Sequence, residues 1–316
     1  MYAEKLVNGG FPAQGRSSSV RRAVTLIYNP VAGWRRRRKL IEVVEAMNRR
    51  GAIVTLRETG GPGDAERFAR EAAEAGGTDI VVAAGGDGTI NEVANGLVGS
   101  QLPLGVIPIG TANVLAIEIG LPTSSDELGA LLLEGRAREI GAGRVNKRFF
   151  LLWVGAGFDG RLVHAIDPVK KRRFGKLAFV WAGLRQIVFP GGPRLRVSDG
   201  VRDVVCGWVV VANACHYAGK FRLAPSVRFE DLGLVTLCIP ARGRLGLVAA
   251  TIALALGRLE RTRGVDVLRG PSIHIADDGQ DEVDPVQVDG DDMLTLPVDV
   301  ECWDVSKAPQ IRLVMP

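Results

Sequence analysis

The sequence predicts an α/β domain followed by an all-β domain. Three observations carry this. Between Arg22 and residue 143, short apolar runs alternate with segments of helical periodicity. From Arg144 onward the runs become short, β-rich and bounded by turns. The chain has 316 residues, enough for roughly two domains at about 150 residues each.

Residues 1–21 carry Gly9, Gly10, Pro12, Gly15 and the Ser17–Ser19 run, the composition of a loose tail. Ala23–Tyr28 is an apolar strand that ends at Asn29-Pro30. Leu40, Ile41, Val43, Val44 and Met47 recur at helical spacing, and Gly51 stops that helix. Ile53–Leu56 is a second strand. Pro62-Gly63-Asp64 opens a helix that runs through Phe68, Ala69, Ala72 and Ala73 to Gly76-Gly77. Asp79–Ala84 is apolar enough to be buried on both faces, as strands of a parallel sheet are. Gly85–Thr89 follows it, and Thr89 with Glu92 reads as a capping box that opens a helix at Thr89. Leu104–Ile109 is a fourth strand, followed by Gly110–Asn113 and a helix over Val114–Ile119. Ser124 with Glu127 caps a further helix that Gly135 stops. Four strand–helix alternations imply a parallel sheet with right-handed crossovers.

The second half reads as strands at Phe149–Val154, Leu195–Val197, Val204–Ala212, Leu234–Ile239, Asp266–Leu268, Ser272–Ile275, Val286–Val288 and Val298–Cys302. Helical stretches at Phe174–Phe189 and Leu245–Leu259 interrupt them. This is the pattern of a mainly antiparallel sandwich over residues 144–303. In the segment 304–316, Ile311–Val314 is apolar enough to return the chain to the first domain.

Composition narrows the function. Hydrophobic content of 47% with 24% charged residues excludes a disordered chain. The four cysteines form no CxxC pair and are too few for a disulfide scaffold. With three histidines, His164, His216 and His274, neither a histidine zinc site nor a Ser-His-Asp hydrolase is expected. The first 22 residues hold no signal-peptide apolar core. The longest apolar run, Leu245–Gly257, is too short to span a bilayer and fits a buried or interfacial helix. A cytoplasmic protein is expected. Net charge is +5, with basic clusters at Arg35–Lys39 and Lys170–Arg173. These are either solvated faces or the footprint of an anionic partner.

The chemistry concentrates in Gly85-Gly86-Asp87-Gly88-Thr89-Ile90-Asn91. A glycine turn between a buried strand and a helix start presents N–H groups and a positive dipole end to an anion. Asp87 beside a phosphate must order the loop, hold Mg²⁺ or take a proton. Asn29–Gly33, Thr59 and Gly110-Thr111-Ala112-Asn113 follow other strands, so all four loops belong at one edge of the sheet, where such folds bind nucleotides. Two motifs do not carry function. Gly155–Gly160 matches GxGxxG, but no acidic residue follows at the distance a ribose hydroxyl needs. No GxxxxGK[ST] is present. Among the late acidic residues, Asp277, Asp278, Asp281, Glu282 and Asp284 read as a solvated loop. Asp289-Gly290-Asp291 follows a strand directly, and reads as either a plain acidic hairpin or a turn that aims a carboxylate. Asp231 reads as either a turn residue or a metal ligand.

These motifs coincide with a known family. The chain from about residue 22 to 316 resembles the diacylglycerol kinase catalytic-domain family, which includes bacterial lipid kinases and the sphingosine and ceramide kinases. Gly85–Gly96 is close to a family signature, supported in order by Asn29–Gly33, Pro108–Asn113 and Val288–Asp291. The resemblance implies a Rossmann-like nucleotide domain of the phosphofructokinase and NAD-kinase kind, a β-sandwich domain, and an active site between them. It implies phosphorylation of a lipid hydroxyl, most simply that of diacylglycerol, by ATP and Mg²⁺. Asn29, Thr59, Gly85–Asn91, Gly110, Thr111 and Asn113 would contact ATP. Asp87, Asp289 and Asp291 would be the catalytic carboxylates, with Asp291 as proton acceptor where relatives often carry Glu. A structural Mg²⁺ would take Asp231 and the carbonyls of Arg228 and Gly233. By its own composition Phe174–Phe189, with Lys170–Arg173 just before it, is either a packed core helix or a stretch that lines the acyl site and touches anionic lipid. The implied partners are a lipid and the inner face of a membrane, with a homodimer left open and no nucleic acid. A sphingoid-base or other lipid kinase, an NAD-kinase-like enzyme, which also carries Gly-Gly-Asp-Gly, and a catalytically silent nucleotide- or lipid-binding regulator are the alternatives.

Overall fold

The computed structural model describes residues 22–32, 37–165, 194–228, 233–240, 243–279, 284–302 and 311–316. The Phe174–Phe189 helix, the Lys170–Arg173 run, Asp231, Leu232, Asp281 and Glu282 lie outside the described residues, as do the tail and Gly33–Arg36. The chain divides into two compact units, Met1–Ile140 with Pro309–Pro316, and Gly141–Ala308.

The first unit is built on a six-stranded sheet. Its strands are β1 (Ala23–Tyr28), β2 (Ile53–Glu58), β3 (Ile80–Gly85), β4 (Pro103–Pro108), β5 (Arg136–Ile140) and, after the second unit, β20 (Ile311–Met315). Their order is β2-β1-β3-β4-β20-β5. The first five in that row run parallel, and β5 pairs antiparallel to β20. The helices are α1 (Arg37–Arg49), α2 (Asp64–Ala75), α3 (Asp87–Leu97), α4 (Val114–Glu118) and α5 (Ser125–Glu134).

Alternate residues of β1 and β3 fill opposite faces. Leu26 and Val82 join Val43, Met47, Leu128 and Leu132 in one core. Ile27, Val81 and Ala83 point the other way and are also fully buried. Burial on both faces explains why these strands read as continuous apolar runs. Ser124 caps α5 by accepting from the Glu127 N–H at 3.4 Å, as the sequence predicts.

The Thr89–Glu92 capping box does not form. Helix α3 starts two residues earlier, at Asp87, with Gly86 as its N-cap and no side-chain cap. Glu92 instead accepts from the Ala65 N–H of α2 at 3.2 Å. The carboxylate satisfies the open N–H of a neighbouring helix, one of the orphan donors every helix start carries.

The second unit is a sandwich. One sheet runs β10 (Asp203–Cys206), β9 (Leu195–Ser198), β16 (Ser272–Asp277), β19 (Val298–Cys302), β6 (Gly143–Val145), β7 (Arg148–Phe150). The other runs β15 (Asp266–Leu268), β14 (Val235–Ile239), β11 (Trp208–Ala212), β8 (Trp153–Gly157), β17 (Pro285–Val288), β18 (Asp291–Thr295). Every pairing in the two sheets is antiparallel. Phe150, Val197, Ile275 and Val300 of the first interleave with Val154, Val209, Val211 and Val286 of the second. This alternation of inward residues is what two packed sheets require. The expected run Val204–Ala212 is two strands, broken at Gly207. The hairpin β12 (His216–Tyr217) and β13 (Phe221–Arg222) and the helices α6 (Phe158–His164) and α7 (Gly243–Ala255) complete the unit. Cys206, Cys215 and Cys238 are buried free thiols.

Candidate functional site

Because β1, β2, β3 and β4 are parallel, the loops after them share one sheet edge. Across that edge stand Thr59, Asn29, Gly86 and Gly110, in the order of their strands. Asn29 ties the first loop to the glycine loop. Its Oδ1 accepts from the Val31 and Ala32 N–H groups at 3.0 and 3.3 Å, and its Nδ2 donates to Thr89 Oγ1 at 3.0 Å. The Thr59 N–H donates to the Tyr28 carbonyl at 2.9 Å, which fixes the loop after β2.

Glycine is required here by close packing. A Cβ on Gly85 would stand 2.5 Å from Thr89 Cβ, and one on Gly110 would stand 2.3 Å from Gly86 Cα. The two loops therefore press backbone against backbone, and both the Ile109 and Gly110 N–H groups donate to the Gly85 carbonyl at 3.1 Å. Gly88 lies in the first turn of α3. Asp87 turns toward α4, where its Oδ1 accepts from the Leu115 N–H at 3.1 Å. Of the three roles open to Asp87, the geometry gives it that of ordering a loop.

The predicted nucleotide residues divide. Thr111 is exposed, Asp87 and Gly88 are half-buried, and Thr59 and Thr89 are nearly buried. Asn113 sits in the left-handed region at φ 51°, and its Oδ1 is buried without a hydrogen-bond partner. The Ile90 side chain is fully buried, and its N–H donates to the Gly86 carbonyl at 3.1 Å. It supports the loop from beneath. Asn91 is likewise buried and accepts from Asn95 Nδ2 at 3.1 Å.

In the second unit, Asp289 (φ 51°) and Gly290 (φ 89°) form the tight turn between β17 and β18. Two successive left-handed residues make a two-residue hairpin turn that Asp-Gly favours. The Asp289 carboxylate is committed to the backbone. It accepts from the Leu151, Leu152 and Trp153 N–H groups at 2.8, 2.8 and 3.0 Å, and it is buried. Expected among the catalytic carboxylates, it has the geometry of a positioning residue. Asp291 is half-buried at the first position of β18.

A buried chain of hydrogen bonds reaches the same turn. The Gly290 N–H donates to Gln287 Oε1 at 2.8 Å, and Gln287 Nε2 donates to Asp159 Oδ2 at 2.7 Å. The Tyr217 hydroxyl donates to Asp159 Oδ1. Burial pushes the Asp159 carboxyl up to about 6. Sequence reasoning missed Asp159, Gln287 and Tyr217. Asp159 lies inside the stretch read for its glycines, whose own reason is packing: a Cβ on Gly155 would stand 1.7 Å from Asp159 Oδ2, and one on Gly160 1.9 Å from the Pro285 carbonyl oxygen.

The acidic segment before β17 needs a correction. Asp284, read as part of a solvated loop, is 2% exposed and paired with Arg161. For the expected metal site, Arg228 and Gly233 flank a segment outside the described residues that contains Asp231. Among the described residues no three carboxylate, imidazole or thiol groups converge to hold a metal ion.

Two family models match the chain. The diacylglycerol kinase catalytic domain matches residues 23–145, and the YegS C-terminal NAD kinase beta sandwich-like domain matches residues 153–310. A protein named "Diacylglycerol kinase" from Bacillus subtilis (strain 168) is 37% identical over 245 residues, covering 72% of this chain and 78% of that one. One named "Probable lipid kinase YegS-like" from Chromohalobacter salexigens is 34% identical over 210 residues, covering 64% and 67%. The crystal structure of a diacylglycerol kinase from Bacillus anthracis superposes with a TM-score of 0.72 over 95% of this chain and 98% of that one. At 20% identity that likeness speaks for the fold.

Proposed function

The chain belongs to the diacylglycerol kinase and YegS-like family of lipid kinases, and from that premise we propose that it transfers the γ-phosphoryl group of ATP, taken up with Mg²⁺, to the hydroxyl of diacylglycerol. The observation that carries the nucleotide half is the glycine loop at the start of α3. Its N-cap Gly86 carries no side chain, and the loop after β4 is pressed against it. A helix start of this kind favours the negative charge of phosphate.

Phosphoryl transfer asks the protein mainly for positioning and charge stabilisation. Asn29 holds Thr89, and Asp87 holds the start of α4, so both loops are fixed before the nucleotide arrives. The buried Asn113 Oδ1 supplies an acceptor for a hydroxyl or amine of the nucleotide. Asp291 takes or orients the acceptor's proton, a role worth about 10²–10⁴-fold. Asp289 holds the turn that carries it. Mg²⁺ supplies charge neutralisation on the phosphates when bound, and the segment around Asp231 is where the family pattern would place a structural ion. Contact with a membrane surface follows from the acceptor, which resides in one.

The test is transfer of labelled phosphate from ATP to a lipid panel in mixed micelles, with NAD alongside. Labelled phosphatidic acid is expected. Asp291→Asn should cut turnover at least 100-fold while ATP affinity stays within about twofold. Asp87→Ala should lose both. Label on NAD and on no lipid would replace the acceptor, and near-normal turnover by Asp291→Asn would remove that residue from the mechanism.

A further inference from the structure

Helix α7 has an apolar outer face. Leu247, Ala250 and Leu254 point inward and are buried. At 100° per residue, Leu245, Ala249, Ile252 and Leu256 fall on the opposite side. Leu245 is 87% exposed, Ile252 54% and Leu256 64%. No charged residue occurs between Leu245 and Gly257. A surface helix ordinarily turns polar residues to water, and one apolar all round is covered on its second face as well.

The surroundings specify the cover. Arg244 precedes the apolar face and Arg258, Arg261 and Arg263 follow it, all exposed. Exposed Lys220 and Arg222 stand on the β12–β13 hairpin, whose Arg222 Cβ would lie 3.6 Å from a Cβ on Gly257. Glu260, the one acid in residues 243–263, is ion-paired with Arg269 at 3.1 Å. The helix is about 20 Å long and about 10 Å wide, an area on the order of 200 Å². That is far below the roughly 800 Å² per partner that a stable dimer buries. Nor can it span a bilayer, since no helix among the described residues is long and apolar enough to do so.

We propose that the outer face of α7 docks this chain onto an anionic bilayer, its aliphatic side chains entering the interface between flanking arginines that meet lipid phosphates. The inner face stays packed on the β12–β13 hairpin and the Leu259–Arg261 turn, so the helix lies in the membrane plane. The proposal deepens the lipid-kinase reading by naming the surface through which the enzyme reaches its substrate. Vesicle binding is read without turnover, so the two can fail separately.

The experiment is co-sedimentation of the full chain with vesicles of phosphatidylcholine alone and with phosphatidylglycerol added. Wild type should bind the anionic vesicles and prefer them over neutral ones. Leu245→Glu/Ile252→Glu should weaken binding at least tenfold per side chain removed from the interface. Arg258→Gln/Arg261→Gln/Arg263→Gln should lose roughly fivefold per cation on anionic vesicles only. Because the substituted positions are exposed, melting temperatures should match wild type, and phosphorylation of a short-chain acceptor dissolved below its micelle concentration should be unchanged. Three results would overturn the proposal. One is no vesicle binding by wild type. Another is binding that the substitutions leave intact. The third is conversion of a solution dimer to monomer by Leu245→Glu/Ile252→Glu, as when a second copy covers it.

Discussion

Among the described residues no cation stands beside the Asp159 carboxyl. It is 1% exposed, and Tyr217 and Gln287 are its hydrogen-bond partners. Desolvation by burial lifts it from 3.8 to about 6, against the opposing pull of those two bonds. A carboxyl raised on folding stabilises the folded chain at low pH and loses that contribution as pH rises through the folded value. Between about pH 4 and 6 the folded form keeps a proton that the unfolded form has released, which costs about 3 kcal/mol by neutrality. Asp126 works in the opposite sense. Hydrogen bonds from Arg50 and Arg49 hold its carboxyl at about 2, so its contribution is lost only in more acid solution. Asp159→Asn removes the titration and mismatches one hydrogen bond, because the new amide turns a donor toward Gln287 or Tyr217. Its stability deficit against wild type, from urea unfolding, should therefore be about 2 kcal/mol larger at pH 4 than at pH 7. A deficit constant across pH would show that Asp159 does not titrate in that window. Gln287→Leu cuts the same chain one link nearer the turn and leaves the Gly290 N–H without its acceptor. Turnover should fall roughly tenfold to 100-fold, with the KM for ATP unchanged because no nucleotide loop is touched.

At the scale of elements, the nucleotide edge depends on two loops meeting without side chains between them. A methyl on Gly110 would enter the Gly86 backbone at 2.3 Å, and neither chain can rotate away as a flexible side chain would. Gly110→Ala should therefore part the loops and weaken ATP binding at least tenfold by calorimetry, while the sandwich unit melts as in wild type. Unchanged ATP affinity would mean that the loops tolerate separation. The fold was readable at this scale wherever burial imposes a period. The strands β1, β3 and β4 are apolar runs because both faces are covered, and Ser124 caps α5 through a bond three residues away. What was not readable depends on partners distant in sequence. Thr89 and Glu92 have capping-box spacing, yet Asn29 claims the first at 60 residues' separation and Ala65 the second at 27. β5 hides behind Arg136, Arg138 and Glu139, all exposed, which interrupt any apolar run at this edge strand. Asp284 sits in an acidic stretch that looks solvated until Arg161, far off in sequence, buries it. In the candidate site the glycine loop was legible because strand, turn and helix are consecutive. The Asp159–Gln287–Gly290 chain was not, since it joins residues 128 apart.

For the whole molecule, the route of the chain is the decisive feature. The sandwich unit, Gly141–Ala308, is inserted between β5 and β20, two strands that lie side by side in the sheet of the first unit. The six residues from Ile311 thus close a sheet whose other five strands were made before residue 141. β20 is an interior strand, hydrogen-bonded to β4 on one side and β5 on the other. Its Ile311, Leu313, Val314 and Met315 are all buried. At about 1.5–3 kcal/mol for each apolar side chain, their burial contributes about 6–12 kcal/mol as an upper bound. That is comparable to the whole stability of an ordinary domain. Ending the chain at residue 308 would also leave the inner edge of β4 without its partner and detach β5 from the sheet. The truncated chain should therefore lose ATP binding and the melting transition of the first unit. The sandwich, whose described core lies within residues 145–300, should keep its own transition. A truncated chain that still binds ATP with wild-type affinity would show that the five earlier strands hold the nucleotide edge unaided, and that the returning strand is dispensable to it.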